Sequence, residues 1–123
     1  ASAIKKVINC PLMVTGGFRT STFIKESLEE GSLDIVGLGR TLCLNPQFSN
    51  QLLAGDNIES EVRPLSSGIK LIDSIFPLEI IWYTMQIHRL GARKKANANA
   101  SVYRAILGSV LEIGVQSIKR VRF

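Results

Sequence analysis

The spacing of apolar and polar positions changes several times along the chain. Leu12-Met13-Val14-Thr15 is a short apolar run closed by Gly16-Gly17, and Leu33 to Gly39 repeats that pattern. Short apolar runs that end on glycine predict buried parallel strands, because a strand covered on both faces shows no alternation. Between them Phe23, Ile24 and Leu28 recur at helical spacing, with Glu26, Glu29 and Glu30 as polar positions. Thr20, Ser21 and Thr22 offer N-cap oxygens to this helix, and Gly31 is a natural stop. Strand, helix and strand within about 30 residues predict a βαβ unit with parallel strands.

Beyond it the pattern is helical. Asn45-Pro46 predicts an N-cap followed by proline at the first helical position, opening a short helix with Phe48, Leu52 and Leu53 as its apolar stripe and Gly55 as its stop. Residues 56–68, with Arg63-Pro64 and Ser66-Ser67-Gly68, predict a loop. Pro77 opens a further helix with Leu78, Ile81, Trp82 and Met85 on one face and Gly91 at its end. A polar connector over 91–100 leads to Ser101, the cap of a last helix carrying Tyr103, Ile106, Leu107, Val110 and Leu111 at helical spacing. Two parallel strands cannot bury both faces of a sheet alone, so the organisation predicts the end of a larger α/β fold.

Composition narrows the function classes. Of 123 residues 46% are hydrophobic and 20% charged, which excludes intrinsic disorder. A complete (β/α)₈ barrel takes about 200–250 residues, so the length excludes one. The most apolar region, Ile69 to Leu90, is interrupted by Lys70, Asp73, Pro77, Glu79, His88 and Arg89, and predicts no membrane span. The apolar run after Lys5-Lys6 is too short for a secretory leader. Cys10 and Cys43 form no CxxC and predict reduced thiols in a cytoplasmic protein. With His88 as the single histidine, no metal site is expected. The net charge of +5 is uneven: residues 81–123 hold eight Lys/Arg and one Asp/Glu, whereas residues 1–80 hold seven and nine. Aromatic residues do not interleave with these bases as in a stacking platform, so a solvated basic face is expected rather than a nucleic-acid or membrane partner.

The chemistry concentrates at Thr15-Gly16-Gly17-Phe18-Arg19 and Gly37-Leu38-Gly39-Arg40. Each cluster ends a predicted strand, the edge at which α/β folds bind ligands. Glycine lets backbone N–H groups approach an anion, a following helix adds its positive end, and arginine can hold phosphate oxygens bidentately. Either cluster alone is compatible with a tight strand-to-helix turn; the two together, with Arg40 attached, point to a phosphate. No Gly-Lys-Ser/Thr and no GxGxxG is present, so neither a Walker loop nor a dinucleotide fingerprint is formed.

PLMVTGGFRT, then about 15 helical residues, then LDIVGLGRTLCLNPQF resembles the C-terminal end of the Old Yellow Enzyme family, FMN-dependent NAD(P)H:flavin oxidoreductases built on a (β/α)₈ barrel. The resemblance continues through EVRPLSSGIKLID and WYTMQIHRLG and is strongest over Pro11 to Phe48. It implies that residues 1–55 are the last two βα units, with barrel strands seven and eight, and that residues 56–123 are a loop and helical C-terminal extension of the same domain. It further implies that backbone N–H groups of Gly16, Gly17 and Gly39 and the guanidinium of Arg40 hold the FMN phosphate, with NAD(P)H as hydride donor and an activated alkene or related acceptor as small-molecule substrate. Arg19 is expected to face solvent or the helix entry. Thr41 stands where the family usually has proline. The family's carbonyl-holding histidine/asparagine pair and its proton-donating tyrosine belong to earlier strands, so no catalytic residue is assigned here, and the remainder of the barrel is needed. His88 is expected at the surface, Tyr83 and Tyr103 in packing roles, and Trp82 in the core.

Two alternatives accompany this expectation. A shortened, non-catalytic homologue would keep at most the phosphate site. An interaction or nucleic-acid role would rest on the basic C-terminal part.

Overall fold

The computed structural model describes residues 1–120, and these divide into two compact units, Ala1–Val62 and a second that starts at Arg63.

The first unit is built on a βαβ element. β1 (Met13–Thr15) and β2 (Ile35–Gly37) pair in parallel, with Met13 opposite Ile35, Val14 opposite Val36 and Thr15 opposite Gly37. A short α1 (Ser2–Lys5) precedes them and α2 (Ser21–Glu29) connects them. The Thr20 hydroxyl oxygen caps α2 by accepting from the Phe23 N–H, and Gly31, at φ +65°, follows its last turn in the left-handed conformation. Val14 and Val36 turn toward a core of Phe18, Ile24, Leu33 and Phe48, joined by Leu38, Leu42, Leu52 and Ile58. The opposite sheet face stays open: Met13 and Ile35 are half exposed. Burial along α2 follows Ser21, Ile24 and Ser27, so of the expected apolar face only Ile24 is buried. Phe23 and Leu28 are exposed, Phe23 resting on Phe18 with ring centroids 5.6 Å apart.

Two further differences concern residues 40–48. α3 (Arg40–Leu44) starts immediately at Arg40, and Gly39 occupies its N-cap without a side-chain cap. Asn45 does not cap the next helix. Its side-chain oxygen accepts from Gln47 N–H and its carbonyl from Phe48 N–H, a turn that delays α4 (Phe48–Leu53) until after Pro46. The segment after Gly55, expected to be a loop, returns to the first unit. Ser21 N–H donates to Ile58 O, Ser60 N–H donates to Arg19 O at 2.7 Å, and Thr20 bridges Glu59.

The second unit contains α5 (Lys70–Ile75), α6 (Leu78–Gly91) and α7 (Val102–Arg120). α6 buries Leu78, Trp82, Tyr83 and Gln86, with Ile81 and Met85 at the margin. Trp82 and Tyr83 meet edge to face at 5.0 Å. Side chains hold the polar connector against the unit. Trp82 Nε1–H donates to Ala100 O at 2.9 Å, Gln86 Oε1 accepts from Asn97 N–H at 2.8 Å, and Arg89 and Arg63 donate to Lys95 O and Ala98 O. Asp73 receives Ser66 and Ser67 hydroxyls and the Ser67 N–H, which closes the turn before α5. These bonds hold the Asp73 carboxyl below the usual carboxylate range, the Ser66 hydroxyl contributing most. α7 packs on α6 through Ala105, whereas Tyr103, Leu107, Val110 and Leu111 of the expected stripe are exposed. Among the described residues no helix is long and apolar enough to cross a membrane.

Candidate functional site

Parallel pairing places Gly16-Gly17 and Gly39-Arg40 at the same, carboxyl edge of the strand pair. Gly16 and Gly17 have φ of +103° and +82°, a region that side-chain-bearing residues rarely enter. A Cβ built on Gly16, Gly17 or Gly39 would meet no atom within 4 Å, so the backbone faces open space at all three positions. Arg40 is exposed at the first position of α3. The four expected phosphate residues therefore share one sheet edge, and their donor set fits a phosphate: two glycine turns with room beside the main chain, and a guanidinium.

Gly37, in the same cluster, has a different role. A Cβ there would collide with the Thr15 side chain and come within 2.8 Å of the Met13 methyl. Cross-strand packing, rather than ligand approach, requires glycine at that position.

Thr41 was legible in the sequence only as a departure from proline. It is buried, at 4% exposure, and its hydroxyl donates to the Phe18 carbonyl at 3.4 Å. That bond ties the turn after β1 to the start of α3. Leu42 N–H donates to Gly39 O at 3.0 Å, and the Cys43 thiol points to the same carbonyl at 3.7 Å.

The opposite edge is fixed by Asp34. Its carboxylate accepts from Leu12 N–H at 2.7 Å and pairs with Lys5, while the Asp34 and Ile35 N–H groups both donate to Leu12 O. The Leu12 bond first, and Lys5 second, hold the Asp34 carboxyl below the usual range. Arg19 has an exposed side chain and engages Ser60 through its carbonyl, as expected for a residue at the helix entry. His88, Tyr83, Tyr103 and Trp82 belong to the second unit. His88 is exposed, Trp82 and Tyr83 are buried, and the Tyr103 hydroxyl donates to Ser67 O at 2.6 Å.

The chain is similar to parts of two known oxidoreductases. It is 33% identical over 63 residues to an NADH oxidase of Thermoanaerobacter brockii, a match covering 51% of this chain and 9% of that protein. It is 47% identical over 47 residues to an NADH-dependent flavin oxidoreductase of Neonectria sp. (strain DH2), covering 37% of this chain and 6% of that protein. The matched segment thus spans less than a tenth of either relative. No family model matches the chain, and no solved structure matches it.

Proposed function

We propose that this chain is the C-terminal portion of a flavin-dependent oxidoreductase barrel of the Old Yellow Enzyme type, and that it supplies the FMN phosphate site. One observation carries the reading: two glycine turns and Arg40 share the carboxyl edge of a parallel strand pair whose connecting helix begins just after the first turn. The similarity to an NADH oxidase and to an NADH-dependent flavin oxidoreductase supports the same class. The N–H groups of Gly16, Gly17 and Gly39 would bind phosphate oxygens, and the Arg40 guanidinium would neutralise their charge. Thr41 would act as a positioning residue, holding the two turns in register through Phe18. The chemistry supplied when FMN is bound is hydride transfer from NAD(P)H to an activated alkene or related acceptor. β1 and β2 would be the seventh and eighth barrel strands, and the exposed Met13 and Ile35 would be covered by the rest of the barrel.

The test uses the longer protein that carries this segment with its upstream strands. Arg40→Ala should weaken FMN binding about 10- to 150-fold, the equivalent of a charge-assisted hydrogen bond worth about 1.5–3 kcal/mol. Affinity for riboflavin, which lacks the phosphate, should stay unchanged. Flavin fluorescence titration reads both, and equal FMN affinity in the variant and the parent would remove Arg40 from the site.

A further inference from the structure

Thr15 ends β1 on the sheet face that its own unit leaves open. Side chains alternate along a strand, so Val14 turns to the core while Met13 and Thr15 lie on the opposite face, level with Ile35 and Gly37 of β2. Gly37 is buried, with the Thr15 side chain leaning across it: a Cβ there would overlap the Thr15 hydroxyl oxygen and come within 2.9 Å of the Thr15 Cβ. The glycine thus seats this hydroxyl over the neighbouring strand, one residue before the first glycine turn. Thr15 is exposed, and among the described residues its hydroxyl has no hydrogen-bond partner. The branched shape suits a strand, but valine has the same shape. A hydroxyl turned toward a barrel interior is costly unless something bonds it.

We infer that Thr15 is a further cofactor-binding residue, its hydroxyl bonding a hydroxyl of the flavin's ribityl chain. The inference rests on the phosphate reading above and adds the direction in which the ligand leaves that site. Gly16, Gly17, Gly39 and Arg40 mark the carboxyl edge of the strand pair. On the core side of that edge Phe18, Leu38 and Leu42 are packed together, so a bulky group attached to the phosphate can extend only over the open face. Of the four strand residues on that face, Met13, Thr15, Ile35 and Gly37, Thr15 alone carries a polar side chain, and it is next to the first glycine turn. Met13 and Ile35 lie two residues deeper and are apolar. What joins the phosphate of FMN to its ring is a short chain of neutral hydroxyls. A threonine hydroxyl both donates and accepts, which matches such a chain and not a second anion.

Three flavins separate the parts of the ligand: FMN has the phosphate and the ribityl chain, riboflavin has the chain alone, and lumiflavin has neither. Each is titrated by flavin fluorescence into the longer protein that carries this segment. Thr15→Val keeps the shape and should weaken FMN and riboflavin equally, by about 2- to 12-fold, the worth of one neutral hydrogen bond, while lumiflavin binds as before. Thr15→Ser keeps the hydroxyl and should recover most of that loss. Arg40→Ala acts on FMN alone, so the two assignments fail separately: an indifferent Arg40→Ala strikes the phosphate site, and an indifferent Thr15→Val strikes this inference. Lumiflavin affinity that falls in step with the other two would mean a distorted site. Lower thermal stability with all three affinities unchanged would mean that the hydroxyl bonds an upstream strand. Either result overturns the inference, and a parent protein that binds no flavin overturns both readings.

Discussion

The two units are held together by different means. The first packs carbon against carbon: four buried side chains from the turn after β1, α2, the entry to β2 and α4 surround one centre. The second uses side chains of α6 as hooks for a connector that has no secondary structure of its own. Trp82 and Gln86 each contribute a buried apolar body and one polar atom bonded to the connector backbone. Their net charges differ as well, since the bases concentrate in the second unit. A sheet-based unit can leave its turns bare of large side chains, because the strand ladder and the core fix them from behind. A connector fixed by hooks depends on each donor separately.

The largest test of that contrast removes the centre of the first unit. Phe48 is completely buried, and Phe48→Ala should cost about 3–5 kcal/mol. Denaturant unfolding followed by far-UV circular dichroism measures it, and a loss under about 1 kcal/mol would mean that the first unit is not organised around this residue. Trp82→Phe keeps most of the ring volume and deletes the N–H bonded to Ala100 O. It should cost about 1–3 kcal/mol for the stranded carbonyl and the altered packing, and should speed amide exchange in 93–100 more than in the first unit. Uniform exchange changes would erase the distinction between hooks and core. Thr41→Val retains the shape and loses the bond to Phe18. A cost of about 0.5–1.5 kcal/mol confined to the first unit is expected. The smallest effect is pH-dependent. Asp34 and Asp73 have carboxyls held below the ordinary value of about 4, so the unfolded chain binds more protons than the folded one in that window. Their stabilisation is complete above about pH 4 and is lost as pH falls through the lowered values. Asp34→Asn should flatten the acid limb of first-unit unfolding, and Asp73→Asn that of the second; an unchanged limb in either variant would show that its carboxylate makes no net contribution.

Much of the βαβ element was readable in the sequence, since each of its signals is local. Thr20 as a cap, Gly31 as a stop and glycine after each strand act within a few residues of themselves. α1, α3 and α5 escaped because four to six residues give too few turns for a period to show. Asn45-Pro46 carried a helix-start signal that a turn used first. Phe23, Leu28 and the stripe on α7 show a further limit: periodicity tells which face of a helix is apolar, but not what covers it. At the candidate site, the glycines and Arg40 could be found from their chemistry and strand-end position. Thr41 could not, because its contribution depends on a carbonyl 23 residues away that only the folded chain brings near.

The Asp34–Leu12 tie has a kinetic consequence. It closes a loop between positions 22 residues apart, and α2 with its cap makes up nearly half of that loop. Nine residues coiled as a helix span about 14 Å, less than half their extended reach, so a nascent α2 draws the two strand ends together before they pair. Part of the entropy of closure is then met by a local event, and the slow search usual for parallel strands shortens. Weakening the Thr20 cap should therefore slow folding of the first unit and leave its unfolding rate nearly unchanged, the mark of a contact already made at the transition state.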